Sequence, residues 1–259
     1  MKKTKKIKPN LVIVHSFPTN SFILKGFYDF LRDYFNVYPI DLPGFVKEIK
    51  PMKNIELENY ALYVKKEIKK LQLESYWIAG VSFGFVVVNL VKDKKHCKGI
   101  LAIEPYLGSE SLNLPIKTKI TFICMISVLR FFNVFYRAWH SPYFQKRFLF
   151  GSSARVNDKI KEYLNEIDAR TFFETAKILL VNKNHGCFLK NCPYVLVINK
   201  HDGSVLADRI IHKFQTEAVD LLVTHTTAAH FPKDMSKEYF LKNIKKGEIE
   251  KMLEFIESR

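Results

Sequence analysis

The pentapeptide Gly80-Val81-Ser82-Phe83-Gly84 lies between the apolar run Tyr76-Trp77-Ile78-Ala79 and the apolar stretch Phe85-Val86-Val87-Val88-Asn89-Leu90. A serine with glycine two residues before and two after it fits a very tight turn, because the missing Cβ atoms let the backbone close around it. A strand that enters such a turn and leaves it as a helix presents the serine at the carboxyl edge of a sheet. The start of that helix also sets its positive dipole end beneath the serine oxygen. Only ten glycines occur in 259 residues, so this pattern in this context is an unusual coincidence. The plainer alternative is an ordinary strand-to-helix turn with a buried or capping serine.

The surrounding pattern agrees with an α/β layout. Short apolar runs at 11–14, 77–79, 99–103 and 194–198 are continuous, as expected of parallel strands covered on both faces. Two further strands are expected at 37–40 and 221–224. Helical patterns fill the intervals 21–34, 55–71, 83–91, 206–217 and 236–257, with Asn54 and Glu58 opening the second. The alternation predicts a doubly wound, mostly parallel sheet of about six strands. It breaks once: 107–189 reads as helical, interrupted at Pro142 and at Gly151-Ser152-Ser153. Residues 1–106 and 190–259 are therefore expected to form the core, and 107–189 a helical cap over the strand ends where ligands bind. The first strand begins almost at once, leaving no room for two leading strands.

Composition narrows the partners. A formal charge of +15 raises nucleic acid as a partner, but the lysines are spread along the chain and no zinc-finger, aromatic RNA-binding or backbone-clamp pattern accompanies them. No nucleic acid is expected. Cys97, Cys124, Cys187 and Cys192 fit no common zinc spacing, and His185 near Cys187 and Cys192 makes only a weak metal signal, so free reduced thiols are expected. The basic start followed by 11–14 is too short in its apolar part for a signal peptide. The longest apolar run, 120–129, falls short of the roughly 20 residues of a spanning helix. A cytoplasmic protein is the expectation.

A serine hydroxyl needs a base, and the base needs an orienting acid. Around an elbow of this kind they follow in the order serine, acid, histidine. Asp202 comes just past the 194–198 strand, and His230 lies in the loop after 221–224. Both are at carboxyl strand ends, the same edge as Ser82. His225 competes with His230 as base and Glu104 with Asp202 as acid, while His201 is expected to face solvent.

His15-Ser16-Phe17-Pro18 looks like the His-Gly-x-Pro loop of the α/β-hydrolase superfamily, and Asp41-Leu42-Pro43-Gly44-Phe45 like its Asp-x-Pro-Gly-x segment. Together with the elbow, Asp202 and His230-Phe231-Pro232, five segments in order resemble that superfamily from about residue 11 to the C-terminus, excluding the cap. The resemblance implies a serine-nucleophile enzyme with Ser82 as nucleophile, Asp202 and His230 completing a triad, and the N–H groups of Phe17 and Phe83 forming an oxyanion hole. It makes His15 a loop organiser. Ser16 departs from the usual glycine and Phe85 from the usual small residue. Serine at 82 argues against the aspartate-nucleophile branches.

The expected substrate is a small or medium carboxylic ester or thioester, cleaved through an acyl-enzyme with no cofactor and no metal. A lyase or acyl transfer on the same triad, or a non-catalytic ligand-binding protein, are the rivals. The cap carries Phe122, Phe131, Phe132, Phe135, Tyr136, Trp139, Tyr143 and Phe144, expected to pack on the core with some lining an apolar site. Arg130 and Arg137, seven apart on one helical face, point to solvent or meet an anionic group. An apolar, basic cap also leaves weak contact with an anionic membrane surface as an alternative.

Overall fold

The computed structural model describes residues 8–91, 96–144, 162, 165–182, 188–189, 192–230, 232 and 234–259. Six strands form one sheet: β1 (Asn10–Val14), β2 (Asn36–Ile40), β3 (Tyr76–Val81), β4 (Cys97–Ile103), β5 (Pro193–Ile198) and β6 (Asp220–His225). Their order is β2-β1-β3-β4-β5-β6, and every pairing is parallel. The chain leaves β1 toward one edge and β3 toward the other, so the sheet's switch point falls between the carboxyl ends of β1 and β3.

Both faces are covered, which is why the strands are apolar without alternation. Val12 and Val14 belong to one core layer, with Tyr60 and Val64 of α2 (Leu57–Lys70) and the valines of α3 (Phe83–Asn89). Leu11 and Ile13 belong to the other, with Phe27 and Phe30 of α1 (Lys25–Leu31). Helix α2 buries Leu57, Tyr60, Ala61, Val64 and Ile68, a stripe at helical spacing. Helix α3 is buried along its whole length; three consecutive valines are weak helix formers, so tertiary packing holds it.

The helices begin and end differently from the sequence reading at three places. The second helix starts at Leu57 rather than beside Asn54, whose carbonyl accepts the Asn59 side-chain amide. The first turn of the 21–34 pattern is folded back by Asn20, whose Oδ1 accepts the Ile23 N–H at 3.0 Å. The 236–257 helix is two helices, and the break frees the Asn243 carbonyl, which takes the Thr227 N–H and the Thr226 and Thr227 hydroxyls.

Between β4 and β5 the described residues contain a 3-10 turn (Ser109–Ser111), α4 (Ile116–Phe131), α5 (Phe135–Trp139), α6 (Pro142–Phe144) and α7 (Ala169–Val181). No strand occurs there among the described residues, and the Gly151-Ser152-Ser153 break lies outside them. After β5 come α8 (Ala207–Glu217), α9 (Lys237–Asn243) and α10 (Lys246–Glu257). The insertion is fastened at its ends: the Tyr106 hydroxyl donates to the Leu179 carbonyl at 2.6 Å, and the Ser109 N–H to Asn182 at 2.8 Å. Within it Phe135, Trp139 and Phe144 are buried with Phe172 and Phe173 of α7, whereas Phe131, Phe132, Tyr136 and Tyr143 are exposed. Arg130 and Arg137 do not share a helix. Asn133, at φ 51°, turns the chain between α4 and α5, and Arg130 reaches Glu174 at 3.3 Å. No helix among the described residues is long and apolar enough to cross a membrane.

Candidate active site

Ser82 sits at the end of β3 with φ 49° and ψ −112°, a conformation an L-residue adopts at a cost of about 1–3 kcal/mol. Its surroundings hold it there. The Ser82 N–H donates to the Ile103 carbonyl at 2.9 Å, and the Ser82 carbonyl accepts the N–H groups of Phe85 and Tyr106. The flanking glycines are needed for close approach: a Cβ on Gly80 would stand 2.4 Å from the Phe85 backbone, and one on Gly84 2.4 Å from the Val14 carbonyl oxygen. Helix α3 thus presses directly on the end of β1.

Phe85 fits for a reason other than a loose strand–helix contact. That contact is tight, but the ring turns away from it into an aromatic layer, 5.5 Å from Phe214 and 6.3 Å from Phe188. Ser16 likewise carries no strain, since it is absent from the residues with positive φ. Its hydroxyl pairs with that of Thr19 at 2.8 Å and its carbonyl accepts the Thr19 N–H at 3.0 Å, closing the turn that carries Phe17.

The structure brings Ser82, His230 and Asp202 together. The Ser82 hydroxyl lies 2.9 Å from His230 Nε2, and His230 Nδ1 lies 2.9 Å from Asp202 Oδ2. Asp202 Oδ1 accepts the Ser204 N–H at 2.7 Å. With an N–H on Nδ1 donating to the carboxylate, Nε2 is left as acceptor for the serine hydroxyl. The His230 and Asp202 side chains are 4% and 3% exposed. Burial alone pushes the Asp202 carboxyl up, but the hydrogen bonds from His230 and Ser204 outweigh it and hold the group below the usual aspartate value.

The competing histidines lie elsewhere. His225 is exposed, and its backbone N–H is held by Glu248. His201 is exposed as well. Glu104 is buried nearby, and its Oε1 accepts the Asn199 N–H at 2.6 Å. His185 and Cys187 lie outside the described residues; Cys97 is half-buried, Cys124 exposed and Cys192 buried.

The Phe17 N–H, after β1, and the Phe83 N–H, at the first turn of α3, donate to no described residue. They come from the two strands that flank the switch point. His15 is buried, with Nδ1 donating to the Ser16 carbonyl and Nε2 accepting the Leu42 N–H at 3.0 Å. Burial lowers its pKa, against the pull of Asp41, so it is a neutral tie between loops. Asp41 fixes the same region by accepting the Ser21 N–H at 2.7 Å.

Two groups were not singled out from the sequence. Asn199 donates through Nδ2 to the Ala228 carbonyl at 3.0 Å, joining the turn of Asp202 to the loop of His230. Phe172 of α7 places its ring 5.0 Å from Phe17 and 4.3 Å from Trp139. Neither residue belongs to a motif of its own, and their partners Ala228, Phe17 and Trp139 are all distant in sequence.

No family model matches the chain, and no curated protein matches it in sequence. Solved structures do. A thermophilic esterase from Thermogutta terrifontis is similar at 17% identity and a TM-score of 0.67, over 96% of this chain and 91% of that one. A hydrolase from Oleispira antarctica is similar at 13% identity and 0.70, over 99% and 93%. An epoxide hydrolase from Bacillus megaterium is similar at 14% and 0.61, over 98% and 95%. The sheet order, the all-parallel pairing and these likenesses together show that the chain has the α/β-hydrolase fold.

Proposed function

We propose that the protein is a serine hydrolase that cleaves small or medium carboxylic esters or thioesters through an acyl-enzyme. The observation that carries this reading is the continuous chain from the Ser82 hydroxyl through His230 to Asp202, with 2.9 Å at each link. Ser82 Oγ attacks the carbonyl carbon while its proton passes to His230 Nε2. The oxyanion that forms accepts the N–H groups of Phe17 and Phe83, each such donor being worth about 10²- to 10³-fold in rate. Collapse expels the alcohol or thiol, which leaves with the proton from His230. Water then attacks the acyl-enzyme with His230 again as base, and Ser82 regains its proton. Asp202 stays ionised throughout and steadies the imidazolium.

Esterases among the similar structures support the hydrolytic reading. A serine at the elbow disfavours the epoxide and haloalkane chemistry of other neighbours, which needs a carboxylate to form an ester with the substrate carbon. In this reading 107–189 serves as a cap, with Phe172 above the Phe17 loop.

The test is turnover of p-nitrophenyl acetate and butyrate together with labelling by a fluorophosphonate. Ser82→Ala should abolish both. Unchanged turnover in that variant would sink the assignment. Labelling of Ser82 without any esterase activity would move the reaction to a lyase or acyl transfer.

A further inference from the structure

Glu104 ends β4 beside the elbow, with its backbone at φ 45°, a region that costs a non-glycine residue free energy. Its N–H donates to the Val197 carbonyl at 2.9 Å, and its Oε1 accepts the Asn199 N–H at 2.6 Å. The residue is thus stitched at both ends to β5 and to the turn that carries Asp202. It is 6% exposed, and Oε2 has no hydrogen-bond partner among the described residues. Glu104, Asp202 and His230 each bring a polar atom within 4.8 Å of the others.

Among the described residues that line the cavity beside Glu104, no lysine or arginine balances a second negative charge. Glu104 forms part of the wall of a cavity of about 80 Å³ whose other walls include Leu101, Ile103, Val197, Phe240 and Met252. Helix α1 contributes only apolar side chains to it. Among the described residues, the titratable groups that face the carboxyl are Asp202, from the turn after β5, and His230, from the loop after β6. His225 and Glu248 line the same cavity, where the His225 N–H holds the Glu248 carboxylate. Two buried carboxyls this close, with no lysine or arginine lining the site to balance them, do not both ionise at neutral pH. Asp202 has the stronger hold on the charge, because it accepts from His230 and Ser204 while Glu104 accepts from Asn199 alone.

We propose that Glu104 is a positioning residue: a neutral carboxyl whose Oε1 anchors the Asn199–Asp202 turn and whose Oε2 proton faces the Asp202 carboxylate. It acts through Asp202, which orients His230, and so rests on the serine-hydrolase reading above. Burial, and then the charge of Asp202, push its pKa up to about 9, in keeping with a proton retained at pH 7.

Glu104→Gln preserves the shape, the acceptor for Asn199 and a donor toward Asp202, without a charge. Glu104→Ala removes all three. With p-nitrophenyl butyrate at pH 7, the glutamine variant should keep kcat within about threefold of wild type. The alanine variant should lose about tenfold or more in kcat with KM little changed, since a misplaced base slows chemistry more than binding. The acid limb of kcat/KM should keep its midpoint in Glu104→Gln, because neither side chain is charged there.

Thermal unfolding gives a readout free of substrate. A carboxyl with a folded pKa of about 9 against 4.5 unfolded holds a proton only in the folded state between those values. Wild type should therefore lose Tm relative to Glu104→Gln as pH rises from about 5 to about 9, and the gap should then level. A glutamine variant as slow as alanine, an acid limb displaced in it, or a flat Tm difference overturns the proposal. Absence of fluorophosphonate labelling in wild type overturns the serine reading itself and this proposal with it. Labelled wild type with any of the three adverse results removes the Glu104 role alone.

Discussion

Asn199 Nδ2 donates to the Ala228 carbonyl at 3.0 Å, so one buried side chain ties the turn of Asp202 to the loop of His230. Its Oδ1 accepts the His201 N–H at 2.9 Å and shapes the acid turn from within. Asn199→Ala leaves the Ala228 carbonyl unpaired, a loss of about 1–3 kcal/mol in stability. It also lets acid and base drift apart, which should lower kcat by about tenfold to a hundredfold with little change in KM. Denaturant unfolding and steady-state kinetics measure the two effects; a wild-type kcat would show that the loops hold their spacing without the bridge.

Gly84 is the point where α3 meets β1. A Cβ there would stand 2.4 Å from the Val14 carbonyl oxygen and 2.6 Å from that of His15, both backbone atoms with little freedom to yield. Gly84→Ala must push α3 away from the sheet and carry Ser82 with it. The expected result is a loss of about 1–3 kcal/mol in stability and fluorophosphonate labelling slowed by about a hundredfold. Labelling at the wild-type rate in a folded variant would contradict the contact.

The sheet was legible in the sequence because strands covered on both faces leave continuous apolar runs, and all six expected strands appear in the sheet. Ser82, Asp202 and His230 were legible because each follows such a run. What escaped depends on tertiary contact. The break in the last helix follows from Asn243 giving its carbonyl to Thr226 and Thr227, residues 17 and 16 positions away. The turn at Asn133 separates Arg130 from Arg137, and a seven-residue spacing carries no sign of it. Phe85 gave no hint that its ring had Phe214, far along the chain, to pack against.

Phe172 rests 5.0 Å from Phe17, the residue proposed to lend its N–H to the oxyanion hole. It is largely buried, against Trp139, Phe144 and Phe173. Phe172→Leu keeps an apolar side chain of similar reach but loses the ring contacts, at a stability cost of about 1 kcal/mol. In the proposed hydrolase it opens space above the Phe17 loop. Relative kcat/KM for butyrate or hexanoate over acetate esters should change by about three- to tenfold, within the range a methylene-sized gap supplies. An unchanged acyl-length profile would place Phe172 outside the substrate's reach.

Asp202 makes stability and activity depend on acid in the same direction. Burial works against its charge, yet the hydrogen bonds from His230 and Ser204 leave its folded pKa below the ordinary value of 3.8. The unfolded chain therefore takes up the proton first as pH falls, and the stabilisation present above about pH 4 is lost as pH drops through the folded pKa. Asp202→Asn removes that carboxylate. Its stability deficit against wild type should be full at pH 6 and shrink below pH 4, as followed by denaturant unfolding at each pH. The same variant offers His230 an amide that cannot hold the imidazolium, and kcat at pH 7 should fall by up to about 10⁴-fold. A kcat within tenfold of wild type would show that Asp202 is not the group that orients the base.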